Sequence, residues 1–132
     1  MSKVLLIEDD PMESRMYQRL FNEEGFEIAI LESGQECRQK ALDEKPDIIL
    51  LDVMMPNVNG FEALDILRSD PETKKIPIVM FTNLSGSHYA DEALRRGAVK
   101  FIVKSQVENK QLIIMIKDII AAYQQNVESQ NV

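Results

Sequence analysis

Short, wholly apolar runs alternate with amphipathic segments along nearly the whole chain. Val4 to Ile7, Ile48 to Leu51 and Ile78 to Phe81 contain no charged residue, as strands covered on both faces require. Phe26 to Leu31 and Phe101 to Val103 read as two further strands. Between them lie helical patterns. Asp10 and Pro11 open the first as N-cap and first helical residue, Met16, Leu20 and Phe21 share its apolar face, and Gly25 ends it. Ser33 with Glu36 predicts a capping box for a helix reaching about Lys45, which Pro46 stops. A turn-rich loop from Met55 to Gly60 leads to a helix with Phe61, Leu64 and Leu67 on one face. A short helix spans Tyr89 to Arg96 and closes at Gly97, and a last one from Asn109 to Gln125 aligns Leu112, Ile116, Ile119, Ile120 and Tyr123. Five strand–helix units in succession predict an α/β fold, a parallel sheet with helices on both faces, because parallel neighbours need crossovers and these are right-handed.

In such sheets ligands bind beyond the carboxyl ends of the strands, where strand order reverses. The residues that follow the strands are Glu8, Asp9 and Asp10 after the first, Asp52 after the third, Thr82 after the fourth and Lys104 after the fifth. With the first and third strands adjacent, several carboxylates share one crevice. Like charges packed together are unfavourable unless protons or a cation compensate, and a hard, oxygen-ligated ion such as Mg²⁺ is the natural counter-charge. Thr82 and Lys104 add a hydroxyl and an ammonium group, which suit a phosphoryl group whose equatorial oxygens must be neutralised during transfer. Asp52, between metal and lysine, is then a nucleophile of the aspartyl-phosphate type.

Composition narrows the alternatives. The chain has 132 residues, 45% of them hydrophobic, enough for one core. Its 15 Lys and Arg against 22 Asp and Glu give a net charge of -7, which disfavours nucleic acid and anionic membrane as partners. Lone Cys37 allows no internal disulfide and reads as a packing residue; lone His88 reads as a loop residue. The opening apolar run is too short for a secretion signal, so a cytoplasmic location is expected. A flavin carrier would need a Ser-, Thr- or Gly-rich loop after the first strand, but Glu8-Asp9-Asp10-Pro11 would repel a phosphate. A haloacid-dehalogenase-type phosphatase would need an Asp-x-Asp pair there, which is absent.

The stretches Val4 to Asp10, Leu51 to Pro56 with Gly60-Phe61-Glu62, Phe81-Thr82, and Gly97-Ala98 leading to Phe101-Ile102-Val103-Lys104 together resemble the response-regulator receiver family of two-component signalling. The resemblance implies a flavodoxin-like three-layer sandwich, with a five-stranded sheet of order 2-1-3-4-5 and five helices. It implies a receiver unit over residues 1–125; the polar stretch over 126–132 is expected to be a frayed tail. Asp52 would be the phosphoacceptor, Asp9 a direct metal ligand, Glu8 a ligand through water, and the Met54 carbonyl a further ligand. Thr82 and Lys104 would contact the phosphoryl group, and Phe101 would be the aromatic that turns inward on activation. The implied donor is a sensor histidine kinase or histidine phosphotransfer protein. With no output domain in this sequence, the message is expected to pass to a downstream protein by contact, or the phosphoryl group to move on to another histidine in a phosphorelay; a receiver-like interaction module acting without phosphorylation is the alternative. The sequence departs from the family pattern at Ser105, where proline is usual, so a trans Lys104–Ser105 bond is expected, and at Asn83, where a small residue is usual.

Overall fold

The computed structural model describes the backbone of residues 1–130 and the side chains of residues 1–125. Its strands are β1 (Lys3–Ile7), β2 (Glu27–Leu31), β3 (Ile48–Leu51), β4 (Ile78–Thr82) and β5 (Lys100–Val103). Its helices are α1 (Pro11–Glu23), α2 (Cys37–Glu44), α3 (Gly60–Ser69), α4 (Ser87–Arg95) and α5 (Asn109–Gln130). The strands form one parallel sheet in the order β2-β1-β3-β4-β5.

Alternation along each strand divides the core into two layers. Leu5, Ile7, Ile49, Leu51, Ile78 and Met80 point to one face, where Cys37 and Ala41 of α2, Ala63, Leu64 and Leu67 of α3 and Ala93 of α4 cover them. Val4, Leu6, Ile48, Leu50, Val79 and Phe81 point to the other, under Tyr17 and Phe21 of α1 and Leu112, Ile113, Ile116 and Ile120 of α5. Both faces of the central strands are therefore dry, which explains their uninterrupted apolar runs. No helix among the described residues is long and apolar enough to cross a membrane.

Local structure departs from the sequence reading in three places. The Ser33–Glu36 capping box does not form. Glu36 takes a left-handed conformation (φ 60°) just before α2, and the Ser33 hydroxyl instead accepts the Gln35 N–H at 2.9 Å. A short local turn thus competes successfully with the cap. On α1, Met16 is 50% exposed and Tyr17 takes the inward position, where its ring meets that of Phe81 edge-on at 4.9 Å. Finally, α5 continues past Gln125 to Gln130, because Gln and Glu favour helix and no Gly or Pro stops it; residues 131 and 132 of the expected tail lie outside the described residues. Gly25, at φ +87°, ends α1 as expected. All described peptide bonds are trans, Lys104–Ser105 included.

Candidate functional site

Backbone pairing carries two acids past the strand ends into one place. The Glu8 N–H donates to the Leu31 carbonyl at 3.0 Å, extending β1 along β2, and the Asp52 N–H donates to the Ile7 carbonyl at 3.0 Å, extending β3 along β1. Asp10 does not join them. Its carboxylate accepts the N–H groups of Met12 and Glu13 and caps α1, as its place before Pro11 predicts. On the far side, Val103 is in register with Thr82, and Lys104 follows at the start of a short 3₁₀ turn, Lys104–Gln106. The Lys104 ammonium lies 5.4 Å from the centre of the Phe81 ring.

Three carboxylates surround that ammonium. Lys104 Nζ is 2.8 Å from Glu8 Oε2, 3.4 Å from Glu13 Oε2 and 3.7 Å from Asp52 Oδ2. Glu8 is 1% exposed and Lys104 8%. The second Glu8 oxygen accepts the Asp10 N–H at 3.1 Å, and Asp52 Oδ1 accepts the Met54 N–H at 3.3 Å. Carboxylate oxygens of Glu8, Asp9 and Asp52 all lie within 4.8 Å of one another.

The charge balance is uneven. Burial, then a hydrogen bond with Asp52, push the Glu8 carboxyl up to about 8 despite its contact with Lys104. One ammonium does not satisfy the acids gathered around it. Burial alone would lower the Lys104 pKa, but the hydrogen bond to Glu8 and the charges of Asp52, Glu8 and Glu13 outweigh it and raise the pKa above its ordinary value. A crevice with an excess of oxygen donors and too little positive charge fits a divalent cation, and Glu8, Asp9 and Asp52 are the residues that could hold one.

The remaining expected residues fall around this cluster. Thr82 is buried at the carboxyl end of β4, and its hydroxyl accepts the Leu84 N–H at 3.2 Å. The Met54 side chain is exposed in the loop after β3. Phe101, in register with Met80, is half-buried against the layer that α2, α3 and α4 cover.

Two contacts at the site are not foreseen in the sequence. Glu13 contacts Lys104; its signal was an acid three residues after the N-cap Asp10, the spacing of a capping box. Gly60 packs against the backbone that carries Asp52. A Cβ there would lie 2.2 Å from the Asp52 carbonyl oxygen and 2.6 Å from Val53 Cα. Backbone cannot swing aside as a flexible side chain would. Gly60→Ala is therefore expected to destabilise the fold by about 2–3 kcal/mol, read as a lower urea midpoint; an unchanged midpoint would show that the loop yields freely.

Comparison with known proteins agrees with this fold. Residues 4–117 match the response regulator receiver domain family. The chain is 30% identical over 121 residues to protein PilH of Pseudomonas aeruginosa, covering 92% of this chain and 99% of PilH. It is 27% identical over 114 residues to the polar-differentiation response regulator DivK of Brucella ovis, covering 86% and 92% of the two chains. The structure of chemotaxis protein CheY4 of Vibrio cholerae superposes with a TM-score of 0.82 at 28% identity, covering 89% of this chain and 98% of CheY4. With five flavodoxin-like strands in the order 2-1-3-4-5 and acids gathered at their carboxyl ends, the chain belongs to the response regulator receiver domain family of two-component signalling.

Proposed function

We propose that this receiver domain is a Mg²⁺-dependent phosphoacceptor in which Asp52 takes a phosphoryl group from a phosphohistidine and passes the signal on through a change of shape. The observation that carries the reading is the convergence of Glu8, Asp9, Asp52 and Lys104 from three separate strand ends. Such a set is needed where a carboxylate must attack an already anionic phosphorus.

In the proposed mechanism an Asp52 carboxylate oxygen forms a bond to phosphorus as the bond to the donor's imidazole nitrogen breaks, and the electron pair leaves with the imidazole. Asp52 is held for this step by the Met54 N–H. Lys104 already lies 3.7 Å from Asp52 Oδ2, within reach of a phosphoryl oxygen placed there, and the Thr82 hydroxyl is the second donor. Glu8, Asp9, Asp52 and the Met54 carbonyl would hold Mg²⁺, which supplies charge neutralisation of the phosphoryl oxygens. Drawing Thr82 and Lys104 onto the phosphoryl group removes them from Leu84 and Glu8, their present partners. A population shift involving Phe101 is the proposed output. Water hydrolyses the acyl phosphate and resets the switch. The partners are a sensor histidine kinase or phosphotransfer protein and a downstream protein in the cytoplasm; the net charge of -7 favours basic protein faces over nucleic acid or membrane.

The test is intact-mass measurement after incubation with acetyl phosphate. Gain of one phosphoryl group only when Mg²⁺ is present is expected; no gain would favour an interaction module that works without phosphate.

The pH dependence follows from Glu8. Its carboxyl ordinarily ionises at 4.5 but at about 8 in the fold, so the folded state holds this proton more tightly than the unfolded chain does. The stabilisation is complete below the ordinary value and is lost as pH climbs towards the folded value. Metal-free protein should therefore lose melting temperature across that window, and Glu8→Gln should lose less. Because a ligand carboxyl must shed its proton, the apparent Mg²⁺ affinity should rise over the same window, by at most about tenfold per pH unit. Calorimetric titration checks this, and a flat profile would contradict it.

A further inference from the structure

The Lys104–Glu13 contact joins residues of β5's following turn and α1 that are 91 positions apart in the chain. Glu13 stands three residues after the N-cap Asp10, where a glutamate ordinarily reaches back to the N-cap N–H. Here that N–H is taken, since Asp10 donates it to Glu8 Oε1. The Glu13 carboxylate is released from capping and turns to Lys104. Of the three carboxylates on Lys104, Glu13 is the most open to solvent: its side chain is 29% exposed, against 1% for Glu8 and 9% for Asp52. It is thus the most exposed negative charge on the only ammonium group that contacts Asp52 among the described residues.

We propose that Glu13 is a specificity-determining residue: its charge beside Lys104 discriminates against small, highly charged phosphodonors and leaves the site to donors that bring compensating positive charge. The inference rests on the phosphoacceptor reading of Asp52. A free anionic donor seated against Lys104 would lie beside the Glu13 carboxylate, 3.4 Å from that ammonium, and the repulsion grows in proportion to the donor's charge. A phosphohistidine presented on a protein surface is less affected, because neighbouring cationic side chains of the partner can pair with Glu13. Glu13 forms no bond in the transfer. With acetyl phosphate the Asp52 oxygen–phosphorus bond forms, the bond from phosphorus to the acetyl oxygen breaks, and acetate leaves with the electron pair. With phosphoramidate the phosphorus–nitrogen bond breaks and ammonia departs.

The experiment compares these two donors, the first largely dianionic and the second less charged, on wild type, Glu13→Gln and Glu13→Asp, with Mg²⁺ present. The chain has no tryptophan, so the second-order rate constant is read from intact mass against time. Glu13→Gln should raise the rate about tenfold with acetyl phosphate and only about threefold with phosphoramidate, the square-root relation expected when repulsion scales with charge. Added salt should accelerate the wild type with acetyl phosphate by screening Glu13, and Glu13→Gln should be accelerated less. Glu13→Asp, which keeps the charge, should keep the wild-type ratio of the two rates. Equal changes with both donors, no change, or an Asp variant that behaves like Gln would overturn the proposal. If the wild type gains no phosphoryl group from either donor, the parent reading falls and takes this one with it.

Discussion

Asp52→Asn is expected to abolish phosphoryl uptake while making the metal-free fold more stable, two effects of opposite sign from one atom. An amide is no nucleophile, so the rate should drop by at least about a thousandfold. The stability gain has a separate cause. Asp52 pushes the Glu8 carboxyl upward first by a hydrogen bond and then by charge repulsion, and a neutral side chain of the same shape keeps an acceptor for the hydrogen bond while it removes the repulsion. Glu8 should then ionise closer to its ordinary range, and Mg²⁺ should raise the melting temperature less than it raises that of the wild type, since a ligand is gone. A merely structural aspartate would behave otherwise: its loss would lower stability and leave phosphoryl uptake intact. Thermal denaturation with and without Mg²⁺, beside intact mass, reads both effects on one sample.

Lys104→Met should have the largest effect on stability. Methionine fills a similar volume over the Phe81 ring but leaves Glu8, Glu13 and Asp52 facing one another without the ammonium that now lies within 3.7 Å of each. Removing one partner of a buried ion pair typically destabilises by about 3–5 kcal/mol. In a chain of this size that lowers the melting temperature by about 10 °C or more. The loss should be smaller below about pH 8, where Glu8 holds its proton, and larger above it, where its buried charge would be left without the ammonium. It should also be smaller in Mg²⁺, which would replace part of the missing positive charge. Phosphorylation should slow about 100- to 1,000-fold, as when one oxyanion donor is removed from a preorganised site. A variant with unchanged melting temperature in metal-free buffer would mean that the acids are less crowded than the geometry implies.

Much of this architecture was legible in the residues. Uninterrupted apolar runs specify strands covered on both faces, and the segments between them carry a helical period, so the five units and their parallel direction follow from pattern and handedness, while the order 2-1-3-4-5 is implied by the family resemblance. Strand ends then place Glu8, Asp9, Asp52, Thr82 and Lys104 at one edge of the sheet. What the residues did not disclose depends on competition between near-equal local options or on distant contacts. Ser33 could cap a helix or close a turn, and the turn won. Met16 and Tyr17 are neighbours on one helix, and only the ring of Phe81 across the core decides which turns inward. The family resemblance implies a metal contact through water for Glu8, and nothing in the residues points to its 2.8 Å contact with Lys104. The capping-box spacing of Glu13 points to the wrong partner for a similar reason, because its contact with Lys104 depends on Glu8 having taken the Asp10 N–H.

The most direct measurement is to locate the phosphoryl group. Borohydride reduces an aspartyl phosphate to homoserine, so phosphorylated protein can be reduced, digested and read by peptide mass spectrometry. Homoserine at position 52 alone, formed only when Mg²⁺ was present during phosphorylation, is the expected result. Homoserine at another position, or phosphoryl uptake that persists without a divalent ion, would contradict the account.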